Sequence, residues 1–486
     1  MAEKCLPDRP DLEHLKREAR ALLEELRAST PATKLADAQR ELARQYGFAS
    51  WARLKGHVDV VHEHTRLPHQ VNTLADPAEE FLRLACLAYG NDDRSRVDAA
   101  RKLLEEDPSI ATASPYTMAA VGAAPELAAA IAADPSVVHR AGGPYDWVPL
   151  LYVTYSRVVG GRPEWSGVAA ARVLLDASAD PNAGYLWGGT PPPFTALTGA
   201  FGEGEDGPNQ PPHPESIALA RLLLERGADP NDNQTLYNRH FRPGNEYLEL
   251  LFEYGLGRGD GGKWRKLLGD AQETPEQMLE NQLTWAANRG YADRVELLLS
   301  RGVDPNGVGT EHPILKGRNA IECAVAGGHK QVLDLLVAAG VPVPPMDKVE
   351  ELLLAAMTGN AGADGVAGLV ESGRAIKGLL DDDFGLIVLA IERQPHAIAA
   401  VAEARRPEAV QILAALGWDV NHRERTTALH DAVWNGDREM VELLLELGAD
   451  PRVPDEHFDS TPAGWAKHTH NDELHELLEA AAARMG

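Results

Sequence analysis

A short helix-and-turn phrase recurs along this chain of 486 residues, and it restricts the possible fold more than any other feature. Successive copies start between 27 residues (100 to 127) and 49 residues (171 to 220) apart, around a unit of roughly 33 residues with insertions. The clearest copies are ARVLLDASADPN (171–182), ARLLLERGADPN (220–231), VELLLSRGVDPN (295–306), LDLLVAAGVPVP (333–344), VQILAALGWDVN (410–421) and VELLLELGADPR (441–452). Weaker copies are ARKLLEEDPSIA (100–111), LAAAIAADPSVV (127–138), LELLFEYGLGRG (248–259) and VAGLVESGRAIK (366–377).

Each copy predicts a helix that must be covered by neighbours. Its run of Leu, Val and Ile makes the helix apolar around much of its circumference. A glycine just beyond the run, as at Gly417 and Gly448, suits the left-handed residue that ends many helices. The Asp-Pro pair that often follows cannot continue the helix, since proline lacks the amide donor. No single copy can bury its own apolar surface, so stacked copies are expected to share one continuous core.

The phrase is the second half of a longer unit. In TALHDAVWNGDREMVELLLELGADPR (427–452), a first helix with small residues precedes it. NAIECAVAGGH (319–329) and NQLTWAANRGY (281–291) align with the start of that segment without a gap. This unit resembles the ankyrin repeat, most closely over 282–344 and 410–470. The resemblance extends over residues 81–486 and is degenerate over 80–140 and 345–405.

The resemblance implies an all-α fold, a solenoid of stacked helix pairs with projecting turns. It divides residues 81–486 into about ten partly degenerate repeats, with loop insertions near 183–215 and 258–280. Ankyrin proteins characteristically bind other proteins rather than catalyse reactions. We therefore expect a concave groove and inserted loops that bind a protein or peptide.

A separate helical module is predicted before the repeats, over residues 1–65, with a linker at 66–80. Residues 11–27 and 34–45 form two amphipathic helices, since their apolar residues recur every three or four positions. LARQYGFASWARLKGHV (42–58) resembles a short helical module at the start of some bacterial ankyrin proteins. The helix–turn–helix look of this module suggests DNA binding, but the negative charge of the chain and the glutamates at 13, 18, 24, 25 and 41 favour a docking or capping role.

The charge and the cysteines argue against several classes of partner and site. With 47 basic and 73 acidic residues the net charge is −26, which repels nucleic acid and anionic membrane surfaces. Cys5, Cys86 and Cys323 are few and widely spaced, so neither a disulfide framework nor a thiolate zinc site is expected. We found no export signal and no run of eighteen apolar residues. The expectation is an acidic cytoplasmic monomer without nucleic-acid or membrane partners.

Several motifs resemble chemical sites but have simpler explanations. GLGRGDGGKW (255–264) contains a glycine pattern of phosphate-binding loops, yet Trp264 replaces the required hydroxyl residue and a helix precedes it. The histidines of HTHNDELH (468–475) and VVHEH (60–64) lack the spacing of metal ligands on one helix face. Asp381, Asp382 and Asp383 indicate a solvated acidic turn rather than a cation site. No nucleophile or acid–base pair stands out, so catalytic residues stay unknown and no metal or cofactor is expected.

Aromatic residues concentrate in one segment, residues 145–201. Large aromatics either fill an irregular core or anchor a binding surface, and the sequence leaves both interpretations open. The leading hypothesis is a non-catalytic protein- or peptide-binding scaffold; the alternative is a small-molecule-binding protein or enzyme whose pocket uses this segment. The candidate partner- or ligand-binding residues here are Tyr145, Asp146, Trp147, Tyr152, Tyr155, Tyr185 and Trp187.

Two further tryptophans are candidate anchors. The alignment above places Trp285 opposite Asp431 and Trp434 opposite Asn288, in first-helix positions that face the groove in the family resembled. Packing does not require tryptophan where Asp or Asn is tolerated, so both are candidate partner contacts. The alternative is that each ring packs on the neighbouring helix.

Overall fold

The computed structural model describes residues 10–310, 317–359 and 381–485, together with Lys4, Leu6, Pro7 and Leu315. Cys5, the phrase copy at 366–377 and the side chains of the three consecutive aspartates at 381–383 lie outside the described residues. The chain is mostly helical and divides into two compact units, Met1–Met278 and Leu279–Gly486.

The first unit contains fourteen α-helices among its described residues, and a fifteenth begins near its end. They are α1 (Leu12–Ser29), α2 (Leu35–Gln45), α3 (Trp51–His64), α4 (Pro77–Ala85), α5 (Arg94–Glu106), α6 (Pro115–Val121), α7 (Ala124–Ala133), α8 (Pro149–Tyr155), α9 (Gly167–Asp176), α10 (Ala196–Phe201), α11 (Ser216–Glu225), α12 (Asn233–Arg239), α13 (Glu246–Glu253), α14 (Gly262–Leu268) and α15 (Pro275–Arg289).

Paired helices stack within this unit as the repeated phrase predicts. Helix α6 packs against α8, α8 against α10, and α10 against α12, while α7 packs against α9 and α9 against α11. Helices α5, α7, α9, α11 and α13 form at the five phrase copies of this unit. Each apolar helix is therefore covered by its neighbours, although a single solenoid over the whole chain stays a prediction.

The fold is not purely α-helical, which corrects the expectation. Strand β1 (Thr65–Arg66) runs parallel to β2 (Gly184–Trp187), which pairs antiparallel with β3 (Phe194–Thr195). Within the insertion predicted near 183–215, the β2–β3 hairpin and α10 take up residues 184–201, and residues 202–215 contain one short helical turn, Gly207–Asn209. Strands of two and four residues carry too little alternation to be recognised in a sequence.

The amino-terminal helices have a small core of their own around Leu15, Leu54 and Val58. Helix α3 also packs against α14, where Val61 and Trp264 belong to one buried cluster. The predicted linker at 66–80 contains the end of β1, one short helical turn and the start of α4. The boundaries proposed for the module and the linker stay predictions.

The described part of the second unit contains eleven further helices. They are α16 (Ala292–Ser300), α17 (Ala320–Ala326), α18 (Lys330–Ala338), α19 (Lys348–Met357), α20 (Asp381–Arg393), α21 (Ala397–Glu403), α22 (Pro407–Leu416), α23 (Ala428–Trp434), α24 (Arg438–Glu446), α25 (Pro462–His468) and α26 (Asp472–Met485).

Stacking of pairs continues inside this unit. Helix α16 packs against α18, and the first helices α21, α23 and α25 pack one on the next. At the start of α23, the Thr427 amide and hydroxyl lie 3.2 and 2.8 Å from Nδ1 of buried His430. The other ring nitrogen of His430 lies 3.0 Å from the Ser460 carbonyl oxygen. Thr427 and His430 therefore tie this helix to the following turn.

Asparagine side chains join consecutive turns in both units. Asn182 donates to the Gly227 carbonyl and accepts from the Asp229 amide, at 2.9 and 2.8 Å. Asn421 makes the same pair of bonds to the turn that contains Gly448, at 3.1 and 2.7 Å. The side chain of the aspartate two residues before each asparagine accepts a hydrogen bond from the backbone N–H of that asparagine. This bond stabilises the turn to which both residues belong. The recurring Asp-x-Asn is therefore a device for fixing neighbouring turns.

Gly448 ends α24 in the left-handed conformation, with φ of 95°. Replacing it with valine is expected to lower the free energy of unfolding by about 1–3 kcal/mol, because a β-branched residue is strained there although no atom blocks its Cβ. Urea unfolding of the wild type and of Gly448→Val measures the change. An unchanged urea midpoint would contradict this assignment of the helix end.

No single helix of the described residues is long and apolar enough to cross a membrane. Residues Gly385–Arg393 and Ala397–Glu403 meet that test jointly, by length and composition alone, and are bent by 63° at the break between them.

A partly buried arginine ties several segments of the second unit together. The Arg406 guanidinium donates to the carbonyl oxygens of Gly327, Gly328 and Met357 at 2.7–2.8 Å. It also lies 2.6 Å from Nδ1 of His329, whose Nε2 lies 2.9 Å from the Asn288 carbonyl oxygen. These partners require a neutral His329 that accepts at Nδ1 and donates at Nε2.

Acidification should destabilise the second unit through His329. Burial and the Arg406 charge lower the pKa of His329 to about 4, from 6.5 in an exposed histidine. The unfolded chain therefore binds a proton that the folded chain does not, and stability is lost as the pH falls from 6.5 toward 4. The loss is about 2 kcal/mol by pH 5.

The test compares urea unfolding of the wild type and of His329→Gln at pH 7 and pH 5. We expect the wild type to lose about 2 kcal/mol more than the variant on acidification. Equal losses in the two proteins would show that His329 does not change its protonation on unfolding.

Candidate functional site

The structure buries most of the aromatic residues that the sequence singles out. Trp147 is 1% exposed, and its ring lies 4.6–5.4 Å, between centroids, from those of Tyr145, Tyr152, Tyr155 and Tyr185, which are buried as well. These five side chains form one cluster in the core of the first unit. Their burial favours the packing interpretation over a surface that contacts a partner.

Three tyrosine hydroxyls of this cluster bond to the main chain. Tyr145 donates to the Arg83 carbonyl, Tyr152 to the Gly142 carbonyl and Tyr155 to the Thr195 carbonyl, at 2.7–2.9 Å. Burial raises the pKa of all three hydroxyls well above the usual value. They therefore stay neutral and act as structural donors.

The remaining candidates are less deeply placed, except Trp285. Asp146 is exposed in a left-handed turn and pairs with Arg66 at 2.9 Å. Trp187 is half-buried and donates its indole N–H to the Ala88 carbonyl at 3.0 Å. Trp285 is 7% exposed. Trp434 is half-buried, with Trp465 and His468 against its ring. Asp146 and Trp187 lie in the first unit, and Trp285 and Trp434 lie in the second.

A different group of residues forms a small open cleft in the first unit, with a free volume of about 20 Å³, room for about one water molecule. It lies among three turns that follow phrase copies, together with the β3 end of the hairpin. The lining residues are Pro181, Asn182, Pro193, Thr195, Leu197, Ala228, Asp229, Asn231, Asp232, Asn233, Gly261, Lys263, Trp264 and Gln272. We take this cleft as the candidate functional site of the first unit.

Asp232 is the most buried carboxylate of the cleft, at 6% exposure. It begins α12 and accepts hydrogen bonds from the Thr195 hydroxyl, the Thr198 hydroxyl and the Thr235 amide. Removal from water raises the pKa of Asp232 to about 6, because the three neutral donors do not fully replace hydration of the charged form. The carboxylate is therefore largely ionised at neutral pH.

Asp229 and Gln272 supply further acceptors. One oxygen of Asp229 accepts from the Asn231 amide and side chain at 3.0 and 2.9 Å. Its other oxygen lies against the Gly262 backbone, where a β-carbon would come within 1.9 Å. The Gln272 side chain is 3% exposed, and its Oε1 accepts no hydrogen bond from the described residues. The cleft thus contains two carboxylates and one unused amide oxygen.

Lys263 and Trp264 form the side of the cleft contributed by α14. Lys263 Nζ pairs with Asp180 at 2.6 Å and lies 5.5 Å from the centre of the Trp264 ring. The Trp264 indole donates to the Asn182 carbonyl at 3.1 Å. The glycine-rich segment before them follows helix α13 and leads into α14, so it lacks the preceding strand that a phosphate-binding loop requires.

The sequence does not predict the cleft residues. Its Asp-Pro pairs indicate helix ends, and Trp264 speaks only against a phosphate-binding loop. No local signal identifies them, because they come together from four segments between residues 181 and 272.

In the second unit, one turn presents an aromatic side chain to solvent. Phe458 is 68% exposed. The buried Asp455 holds its turn by accepting from the amides of His457, Phe458 and Ser460 and from the Trp465 indole, at 2.6–3.2 Å. Hydrogen bonds to the Asp455 carboxylate therefore hold the backbone of this turn, while most of the Phe458 side chain lies outside the core.

Neither thiols nor metal clusters add a reactive centre to the described residues. Burial raises the pKa of Cys86 and of Cys323 to about 12, so both thiols stay protonated at neutral pH. In the described part of the chain, no three His, Cys, Asp or Glu side chains are grouped to hold a metal ion.

Comparison with known proteins gives two results. The family model of ankyrin repeats matches residues 352–455 in three copies. An L-asparaginase of Dirofilaria immitis is 27% identical over 187 residues, which cover 38% of this chain and 29% of that protein. The chain thus aligns with under a third of the length of this curated relative.

Proposed function

From the premise that this chain carries ankyrin repeats at residues 352–455, we propose that it is a non-catalytic scaffold for a protein or peptide partner. Ankyrin repeats generally mediate protein–protein interaction. The partner binds through the concave groove, the projecting turns and the inserted loops.

The observation that carries the proposal is the turn around Phe458. An aromatic side chain on a rigid turn contributes much buried area on binding and loses little conformational freedom. The Asp455 bonds supply that rigidity, and the 68% exposure leaves most of the ring available to a partner.

Phe458→Ser is expected to weaken partner binding at least tenfold and to leave the urea midpoint unchanged. The intact chain, immobilised under native conditions, is used to capture proteins that are then identified by mass spectrometry. The affinity of a captured protein is measured for the wild type and the variant.

Leu389→Ser is the control, because Leu389 is an exposed apolar residue on α20 of the same unit and not on a turn. Its binding should equal that of the wild type. Repeated native captures that retain no protein would refute the scaffold proposal, and equal weakening by both substitutions would remove Phe458 as the contact.

A further inference from the structure

We propose that Asn306 is a site of spontaneous chemical modification, at which the side-chain amide is lost as ammonia and a carboxylate forms. Asn306 lies in the turn after α16, in the second unit. Three features of the chain carry the proposal: a side chain without a hydrogen bond, a glycine directly after it, and a proline in the neighbouring turn.

Asn306 occupies the position of the asparagines that join consecutive turns, but it makes no such bridge. Asn182 and Asn421 each accept from a main-chain N–H, two residues after the glycine that ends the next phrase copy. In the copy that follows Asn306, this position is Pro342, which has no N–H. Asn306 is exposed, and its side chain forms no hydrogen bond with any residue that the structure describes. Its amide is therefore free to rotate.

The residue after Asn306 is a glycine for a reason found in the fold. A β-carbon at position 307 would come within 2.4 Å of the Glu280 side chain. That side chain is held by the Gly309 amide, which donates to its carboxylate at 2.9 Å. The turn therefore favours Gly307, and a residue without a side chain offers the least obstructed main-chain nitrogen to the asparagine before it.

The reaction needs only water. The Gly307 nitrogen forms a bond to Cγ of Asn306 and the Cγ–Nδ2 bond breaks, so that ammonia leaves with the proton lost by the Gly307 nitrogen. Attack requires the two reacting atoms to come within about 3–3.5 Å, which a free side chain reaches by rotation. Water then opens the succinimide ring at either carbonyl, which gives aspartate or isoaspartate without oxidation or reduction. Either product adds a negative charge to the turn, and isoaspartate also lengthens its main chain.

The chain contains one other Asn-Gly pair, Asn435–Gly436, which provides an internal control. The two glycine nitrogens are held alike, because the Gly307 and Gly436 N–H groups each donate to a main-chain carbonyl oxygen, at 3.1 and 2.9 Å. The side chains differ, since Nδ2 of Asn435 donates to the Glu403 carbonyl oxygen at 3.1 Å. This bond must break before Cγ can turn toward Gly436, so the native fold protects Asn435 but not Asn306.

The native full-length chain is incubated in mildly alkaline buffer, and both sites are followed by tryptic digestion and mass spectrometry. The tryptic peptides 302–316 and 426–438 contain one asparagine each, so the modified peptide identifies the site. We expect Asn306 to react about tenfold faster than Asn435, because the side-chain hydrogen bond adds to the barrier at Asn435 alone. In guanidinium chloride, which removes the native hydrogen bonds, the two rates should become similar.

Pro342→Ala tests the cause of this reactivity. The substitution supplies a main-chain N–H at the bridging position, so Asn306 should gain a partner and react about tenfold more slowly than in the wild type. Pro344→Ala is the matched control, because it removes a proline from the same segment without placing an N–H at the bridging position. This control should react at Asn306 like the wild type. The urea midpoint of each variant shows whether it folds.

Equal rates at Asn306 and Asn435 in the native protein overturn the inference. A folded Pro342→Ala protein that reacts at Asn306 as fast as the wild type overturns it as well. If Pro342→Ala does not fold, the comparison of the two sites in the wild type decides alone. No partner takes part in these measurements, so their result is independent of the scaffold proposal.

Discussion

Replacing Trp147 with alanine is expected to lower the free energy of unfolding of the first unit by about 3–5 kcal/mol. The indole lies at the centre of four tyrosine rings and is 1% exposed, so its removal leaves a cavity that the neighbours cannot close fully. Equilibrium urea unfolding, followed by far-ultraviolet circular dichroism, measures the loss.

Phe458→Ala is the control for this experiment, because Phe458 is an aromatic residue that is mostly exposed. Its loss should stay below about 0.5 kcal/mol. A Trp147→Ala protein with a loss below 1 kcal/mol would contradict the core placement and restore the binding-surface interpretation of residues 145–201.

Replacing Arg406 with methionine should cost the second unit about 3 kcal/mol. The substitution keeps much of the apolar stem but leaves the carbonyls of Gly327, Gly328 and Met357 without their donor. Each buried acceptor that loses its partner costs about 1 kcal/mol or more. Loss of protection from hydrogen exchange around residues 327–329, with a lower urea midpoint, would show the effect.

The neighbouring Arg405 provides a matched control. Its side chain is mostly exposed and donates to one carbonyl, that of Asn435, at 2.8 Å. Arg405→Met should therefore cost less than about 1 kcal/mol. Similar losses for both variants would mean that removal of a positive charge, rather than the buried bonds of Arg406, sets the stability.

The helices and their ends were predictable because their causes are local. The glycines at 417 and 448 both adopt positive φ, and α22 and α24 end just before them. Apolar periodicity identified nine phrase copies that the structure describes as helices, since buried helices keep that pattern even where the repeat is degenerate. The short hairpin lacked such a pattern, because most of its residues are turn residues.

The candidate site was not predictable, because it depends on contacts between distant segments. The concentration of aromatic residues in 145–201 is visible in the sequence, but only packing against Tyr185 and the neighbouring helices decides whether a ring such as Trp147 is buried. In the cleft, Asp232 and Gln272 are 40 positions apart, and each residue type is common in solvated turns. Their burial, rather than their identity, makes them notable.

The asparagine bridges between turns explain how an irregular repeat can remain part of the stack. Asn231 accepts from the Gly257 amide and donates to the Arg258 carbonyl, at 2.8 and 2.9 Å. The segment that provides these groups, LELLFEYGLGRG, has lost the Asp-Pro-Asn of its neighbours. Because Asn231 bonds to main-chain atoms, the turn at Gly257 and Arg258 must keep its backbone conformation but not its side chains. Substitutions should therefore be tolerated better in that turn than at Asn231.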